Sequence, residues 1–550
     1  MTRGRDILLE VLRTEGVRHL FGNPGTTELP LVDALVGADD LEYVLALQEA
    51  TAVGMADGYA QATGRPAFLN LHTSAGLGNA VGNLTNAQAN GTPLVVTAGQ
   101  QDRRHLHHDP LLGGDLVGLA ASVSKWTHET STLGELGTVL RRAFHDAASA
   151  PAGPVFVSIP MDVLEEEGDH QVPPPSQLHR ATVPAGLTLE RLADRLATAP
   201  VGSLAIVAGD EVAPAGVDPL VNLAETLGCR VHGSPLHSTT VFPTDHPLWA
   251  GPLAPAASGI NATLAAYDTV LLVGGRAFMV YPFTPGPAVP PHVALLHLSP
   301  DPAQLGRTWP TDLGVVGDPA ETLRALLVAV HGRVDATAAE TALAEARTTA
   351  EAAAARFDAK ALAAYDQQPM APAAAAHALV RALPPDSVVV DEAITTGSHV
   401  RGYHRTARAG RYFFCRGGGL GWGMPAALGV SLGYDREPVL CVVGDGSAMY
   451  SPQALWTAAR LDLPVTFAVV DNGQYLILKN ALRGMGGRSA ETGTFVAMDL
   501  DRPAIDFPAL ARSMGVPATS VERAGDVGDA VRAARQAGGP HLLHLPIAAP

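Results

Sequence analysis

Along most of the chain, short apolar runs alternate with longer segments in which apolar residues recur at helical spacing. Runs bounded by glycine, proline or polar clusters read as buried strands, and the segments between them read as crossover helices. The first third predicts strands over 17–21 (VRHLF), 42–47, 66–71 (PAFLNL) and 93–99 (PLVVTAG). The middle predicts them at 203–209 (SLAIVAG), 229–234 (CRVHGS), 269–275 (TVLLVGG) and 293–299 (VALLHLS). The last third adds 387–393 (SVVVDEA), 439–443 and 465–470. Strand–helix alternation of this kind implies parallel sheets, so the expected fold is α/β with three doubly wound domains. An acidic, proline-rich stretch at 163–185 reads as a linker. A stretch at 335–365 rich in Ala, Glu and Arg reads as a long connecting helix ended by Pro369 and Pro372. The resulting domains are 1–170, 183–335 and 366–550.

Polar residues gather where the strands end. The run 439–443 leads into Gly444-Asp445-Gly446-Ser447, a helix is expected through Arg460, and the run 465–470 ends on Asp471-Asn472-Gly473. A strand, a crossover helix and a second strand form a right-handed parallel unit. Both polar clusters then lie at carboxyl ends of neighbouring strands, where open α/β sheets bind ligands. Asp445 and Asn472 can converge there on one hard cation that prefers oxygen, as Mg²⁺ does. The glycines allow close backbone approach to phosphate oxygens. Asp-Gly between apolar runs is also a hairpin signal, but the intervening helix and the second polar cluster argue against a hairpin.

Composition narrows the class. The chain has 550 residues, 47% hydrophobic and 17% charged, with a net charge of −17. That balance offers no basic patch for nucleic acid. Cys229, Cys415 and Cys441 lack metal-ligand spacing and read as core thiols in a reducing cytoplasm. No run reaches the roughly 18 apolar residues of a membrane span. The opening MTRGRDILLEVLRTEG reads as an amphipathic helix closed by Gly16, not as a signal peptide.

Candidate chemistry also sits in the first third. The strand 17–21 leads into Gly22-Asn23-Pro24-Gly25-Thr26-Thr27, with a helix expected near Thr27 and Glu28 at its N-terminus. The strand 42–47 delivers Gln48 and Glu49, with a helix from Ala50, and 66–71 delivers His72, Thr73 and Ser74. A polar loop over 100–115 carries His105, His107 and His108 without partner cysteines, so a metal site there is not expected.

FGNPGTTELP, LALQEA, GMADGYAQATGRPAFLNLH, VTAGQQ, GGLGW and GDGSAMYSPQALWTAAR together resemble the thiamine-diphosphate-dependent 2-oxo acid decarboxylases over essentially the whole chain. Within that family the chain resembles the benzoylformate decarboxylases. The resemblance implies that Glu49 hydrogen-bonds the cofactor's pyrimidine and that His72 is catalytic. A partly buried Glu with a raised pKa suits that role. Asn23, Pro24, Gly25, Thr395, Thr396, Gly418, Leu420, Gly444, Gly446, Ser447 and Tyr475 would hold thiamine diphosphate. Asp445, Asn472 and the carbonyl of Gln474 would bind Mg²⁺, or Ca²⁺ in its place. Leu476, Ile477 and Leu478 would wall the substrate pocket, with Leu478 equally readable as core. A homodimer or homotetramer with sites between chains is implied, as is a small 2-oxo acid as substrate. Flavin is not expected in the middle domain, which lacks GxGxxG and reads as mainly structural.

Three positions depart from the family pattern. Tyr281 stands where benzoylformate decarboxylases carry a second catalytic histidine, so the substrate differs or His107 or His108 substitutes. Thr26 stands where they carry serine. Asp471 replaces an asparagine, and its carboxylate either tightens the metal or faces solvent. The expected function is non-oxidative decarboxylation of an aromatic or branched 2-oxo acid to an aldehyde and CO₂. The alternatives are a carboligase of the acetolactate synthase type and a pseudoenzyme that only binds the cofactor.

Overall fold

The computed structural model describes every residue except Met1, Pro214 and Pro550. Three six-stranded parallel sheets organise it. The first contains β1 (His19–Gly22), β2 (Glu42–Leu45), β3 (Ala67–His72), β4 (Leu94–Gln100), β5 (Thr127–Glu129) and β6 (Val155–Pro160), in the order β2-β1-β3-β4-β6-β5. Helix α1 (Glu49–Thr63) follows β2, and α2 (Thr73–Asn90) follows β3. The amphipathic Gly4–Thr14 is helical, and it buries Ile7, Leu8, Val11 and Leu12 in a cluster with Leu136, Leu140 and Phe144.

The central sheet contains β7 (Leu204–Ala208), β8 (Arg230–Gly233), β9 (Trp249–Pro252), β10 (Thr269–Val273), β11 (Ala294–Ser299) and β12 (Leu313–Val316), ordered β9-β8-β7-β10-β11-β12. The long helix α3 (Ala336–Leu362) connects it to the third sheet. That sheet contains β13 (Val388–Glu392), β14 (Tyr412–Phe414), β15 (Val439–Gly444), β16 (Val465–Asp471), β17 (Ala518–Ser520) and β18 (His541–Pro546). Its order is β14-β13-β15-β16-β18-β17, the same arrangement as in the first sheet. Helices α4 (Gly397–Tyr403), α5 (Gly423–Gly433) and α6 (Leu476–Met485) belong to this domain.

In each outer sheet the strand order reverses between its first and third strands, which opens a crevice at their carboxyl ends. In the first domain the crevice lies between the ends of β1 and β3. In the third it lies between β13 and β15. The central sheet has the dinucleotide-binding strand order, and contacts tie its strand ends together at the reversal. Glu211 accepts a hydrogen bond from the Gly275 amide, and Asp210 forms an ion pair with Arg416 at 2.6 Å. A Cβ on Gly209 would lie 2.7 Å from the Gly274 carbonyl.

The outer domains share one apolar core, in which Phe21, Met55 and Ala56 join Trp422, Met424 and Leu428. Helices α1 and α5 run side by side there without room for side chains at their closest points. A Cβ on Gly58 would sit 2.2 Å from the Ala426 carbonyl oxygen, and one on Gly429 would sit 1.9 Å from that of Met55. Across this contact the buried Asp57 accepts a 2.7 Å hydrogen bond from Nε1 of Trp422.

Several predicted boundaries differ. Only Thr26–Glu28 turns after the Asn23 loop, as a single 3₁₀ turn, before the helix Leu29–Ala34. Strand β2 stops at Leu45, and α1 begins at Glu49 with Gln48 as its N-cap. The helix expected through Arg460 is two, Asp445–Ala448 and Ala454–Leu461. Pro372 does not end the connecting helix but opens the next, Pro372–Arg381, where a missing N–H costs nothing. The linker keeps some order, since Glu167–Gly168 pairs with Thr2–Arg3. No described helix is long and apolar enough to cross a membrane. The three cysteines are buried, and burial raises each thiol above its ordinary range.

Candidate active site

The first half is built where β1, β3 and β4 end. Glu28 is buried, and its carboxylate gathers four partners. Oε2 accepts the Gly25 amide at 2.9 Å and lies 2.8 Å from Nδ1 of His72. Oε1 accepts the Gly99 amide at 2.9 Å and the Thr27 hydroxyl at 2.7 Å. The Thr27 oxygen is also 3.1 Å from Nδ1 of His72. A carboxylate in its ionised form can only accept, which would place the ring hydrogen on Nδ1; Nε2 makes no hydrogen bond among the described residues. The next residue, Thr73, is β-branched yet left-handed at φ 45°, and its buried hydroxyl has no partner among the described residues. Such strain in a β-branched residue persists only where the surroundings enforce it.

Glu49 lies beside this clamp. It is 8% exposed, and its oxygens accept from the side-chain amides of Asn79 at 3.0 Å and Asn23 at 3.4 Å. Gly76 separates it from His72, because a Cβ there would lie 3.2 Å from Oε1 of Glu49 and 3.5 Å from Cβ of His72. Gly25 is equally constrained, with its hypothetical Cβ 2.2 Å from the His72 ring. Pro24 and Thr26 are exposed, so the hydroxyl that meets His72 belongs to Thr27.

The second half lies on the third sheet. Strands β15 and β16 pair in parallel, so Asp445 and Asn472 emerge side by side. Oδ2 of Asp445 and Oδ1 of Asn472 both accept the Gln474 amide at 3.2 Å. Sharing one donor brings the two oxygens onto the same point. Burial pushes Asp445 up to about 6, with hydrogen bonding to the Gly446 amide opposing and Asp471 adding to the rise. The Asp471 carboxyl is hydrogen-bonded to that of Asp445 and also lies 3.0 Å from Nε2 of His544. Burial opposes its ionisation, but the hydrogen bonds from His544 and the Gly473 amide prevail and hold it below the usual carboxylate range. A Cβ on Gly446 would sit 2.6 Å from the Tyr475 ring, which fixes that side chain over the loop. Gly444 and Ser447 flank Asp445, at the end of β15 and within the short helix that follows. Thr395 and Thr396 follow β13, and the buried Thr396 hydroxyl has no partner among the described residues.

The Gly-rich loop ties the two outer domains of the chain together. Asn86 on α2 exchanges two 2.9 Å hydrogen bonds with the backbone of Gly419, and Asn83 reaches the Gly421 carbonyl at 3.4 Å. Gly418 adopts φ 75° with nothing near its missing Cβ, and Leu420 beside it is half-buried. Sequence reading passed over Glu392, which accepts the amides of Gly421 at 2.8 Å, Trp422 at 3.1 Å and Gly423 at 2.9 Å. Burial pushes Glu392 up to about 7 against those three donors. An acid closing an otherwise apolar strand was the available signal for it.

The remaining candidates lie outside both halves. Tyr281 is 72% exposed on the central domain. His107 and His108 are exposed on the 3₁₀ segment Arg103–His108, their ring centroids 3.8 Å apart. Among the described residues, neither reaches His72 by a hydrogen bond. Leu476 is buried, whereas Ile477 and Leu478 are each 47% exposed, so Leu478 is not core.

Three family descriptions match in chain order: the thiamine pyrophosphate enzyme N-terminal TPP binding domain at 2–119, the central domain at 189–326 and the C-terminal TPP binding domain at 395–545. A benzoylformate decarboxylase of Pseudomonas aeruginosa is 35% identical over 549 residues, covering 98% of this chain and 97% of the relative.

The chain belongs to the thiamine pyrophosphate enzyme family.

It is also 29% identical over 488 residues to an acetolactate synthase isozyme 3 large subunit of Escherichia coli K12, covering 86% and 82% of the two chains. Among solved structures, a thiamine diphosphate-dependent 4-hydroxybenzoylformate decarboxylase of Rhodococcus jostii RHA1 superposes with TM-score 0.87 at 30% identity, over 100% and 99% of the chains. The residues present suit the family's cofactor on their own geometry. The Thr396 hydroxyl has no partner among the described residues, and Gly444 and Gly446 clear the backbone beside Asp445. Oδ2 of Asp445 and Oδ1 of Asn472 are hard oxygen donors of the kind a divalent ion takes.

Proposed function

We propose that this protein is a thiamine-diphosphate- and Mg²⁺-dependent decarboxylase that converts an aromatic or branched 2-oxo acid, of the benzoylformate kind, to an aldehyde and CO₂. The observation that carries this reading is the Glu28–Thr27–His72 clamp beside Glu49, in a chain so similar to a benzoylformate decarboxylase. Thiamine diphosphate supplies, when bound, the carbon nucleophile and the sink for the electron pair that CO₂ leaves behind.

The chain's own part is binding and proton handling. Asp445, Asn472 and the Gln474 carbonyl would hold the cation, with Gly444, Gly446, Ser447, Thr395, Thr396 and Tyr475 around the diphosphate. Asn23, Pro24, Gly25, Gly418 and Leu420 would position the rest of the cofactor. Glu49, oriented by Asn79 and Asn23, is set to exchange a proton with the pyrimidine ring. His72, locked through Nδ1, presents Nε2 to give or take a proton at the substrate oxygen. Ile477 and Leu478 would shed water from the substrate's apolar group. The family arrangement supports a homodimer or homotetramer working in the cytoplasm, with the outer domains of different chains completing each site.

A carboligase of the acetolactate synthase type is the second reading. It draws on the Escherichia coli relative and on Tyr281 in place of a histidine. A panel of 2-oxo acids with thiamine diphosphate and Mg²⁺, read for both CO₂ and organic product, decides between them. Benzaldehyde from benzoylformate, lost in Glu49→Gln, is the expected result. Acetolactate from pyruvate without aldehyde release would overturn the decarboxylase reading.

A further inference from the structure

A cavity of about 680 Å³ opens between the central domain, the connecting helix α3 and α4 of the third domain. It runs along the edge strand β9, with Arg230 from the start of β8 and the segments that follow both strands in its wall. Its volume is that of a site for a small organic molecule. None of Glu49, His72, Asp445, Asn472 or Tyr475 lines it. Its apolar walls are Leu236, Trp249, Leu253, Ala353, Phe357 and Phe414.

Three arginines reach into this apolar space. Arg230 donates to the Pro247 carbonyl at 3.2 Å, Arg401 to the His237 carbonyl at 3.0 Å and Arg405 to the Thr244 carbonyl at 3.1 Å. Among the described residues none of the three has a carboxylate partner, although the neighbouring Arg411 and Arg416 are paired with Glu437 and Asp210. A guanidinium has five donors, so one carbonyl each leaves most of them unused. Arg401 is fixed further by the Tyr412 and Phe414 rings, at 4.6 and 5.1 Å from its central carbon.

The opposing charges are weak. Asp391 is the lining carboxylate; both its oxygens are taken, by the Tyr412 hydroxyl and by the Ala393 amide at 2.8 Å, and burial raises it. Burial also keeps His237 and His404 neutral, His237 falling to about 4. Leu236, on the cavity wall, is held left-handed at φ 55°, a strain typical of ligand sites.

We infer that this cavity is a second binding site, for a small organic anion that joins a ring or branched apolar body to a carboxylate or phosphate. The arginines take the anion, and the apolar walls take the body. Because α4 starts directly after Thr396, the occupant bears on the segment that carries Thr395 and Thr396.

Calorimetric titration of the full-length holoenzyme tests the site with AMP, phenylacetate and inorganic phosphate as probes. AMP or phenylacetate should bind in the sub-millimolar range, and the one that does distinguishes phosphate from carboxylate recognition. Inorganic phosphate should bind at least ~10-fold more weakly, since it lacks the apolar body. Arg401→Gln and Arg405→Gln should each weaken binding about 10-fold or more, as loss of a charged hydrogen bond does. Ala353→Phe, which fills the cavity from α3, should abolish binding and leave turnover at saturating substrate unchanged. The inference fails if neither organic probe binds, if phosphate binds as tightly, or if the variants bind as the parent does.

Discussion

Oε2 of Glu28 lies 2.8 Å from Nδ1 of His72, and the pair spans 44 residues of sequence to join a loop turn to a strand end. The carboxylate is pinned by two backbone amides, so it cannot follow the ring if the ring turns. Glu28→Gln replaces one accepting oxygen with a donor, which must face either an amide or His72. The imidazole then loses its tautomer and its orientation. Turnover should fall on the order of 100-fold, while thiamine diphosphate affinity stays within about twofold. Rescue of the rate by Glu28→Asp, even in part, separates orientation of the ring from general loss of structure. Steady-state kinetics beside cofactor titration give both readings.

Asp445 is the only ionisable member of the expected cation set. Asp445→Ala should remove the cation dependence of cofactor retention, with affinity falling on the order of 100-fold in Mg²⁺ and little further change on adding EDTA. The parent should lose affinity on chelation. Titration of thiamine diphosphate with and without Mg²⁺ checks this, and an unchanged affinity in the variant would remove Asp445 from the metal set.

Glu392 makes stability depend on pH. Its ordinary value is 4.5, and in the fold it is pushed up to about 7. Between those values the folded chain keeps a proton that the unfolded chain has released. Stability therefore falls as pH rises through this window, and the loss is complete above about 7. The difference amounts to roughly 3 kcal/mol for this fully buried group. Glu392→Gln cannot ionise, so its stability should change less between pH 5 and 8 than the parent's, although it starts lower through loss of one amide acceptor. Denaturant unfolding at both pH values measures the two slopes, and equal slopes would show that Glu392 does not titrate in this range.

What could be read from the residue order follows from range. Strands such as β4, β15 and β16 are unbroken apolar runs, and the polar clusters at their ends are local. So the α/β class, the family and the positions of Glu49, His72, Asp445 and Asn472 were all legible. Strands β5, β9, β12, β14 and β17 were not, because they are edge strands of three or four residues, and the inner strands β6 and β18 were passed over although both carry apolar runs. The break over 449–453 within the helix expected through Arg460 was signalled by Pro452, which cannot sit inside a helix, and was passed over. Glu28 was placed at a helix start by local pattern, whereas its partners Gly99 and His72 come from two other strands. Glu392 likewise holds amides 29 to 31 residues ahead. Contacts of that span are set by the sheet order, which periodicity does not reveal.

Tyr281 bears on which acid or base serves the substrate. It stands on an exposed segment of the central domain. Phenols, with an ordinary value of about 10, give up a proton poorly at neutral pH, whereas imidazoles, near about 6.5, do so readily. If the pocket lacks only that group, Tyr281→His should raise kcat on benzoylformate about 10-fold and bring in a new acidic limb in its pH profile. If His107 or His108 already supplies the proton, Tyr281→His should leave kcat unchanged, and His107→Ala or His108→Ala should lower it by a similar factor. Measuring kcat against pH for the four proteins separates the cases. A parent rate untouched by all three substitutions would leave His72 as the proton carrier on its own.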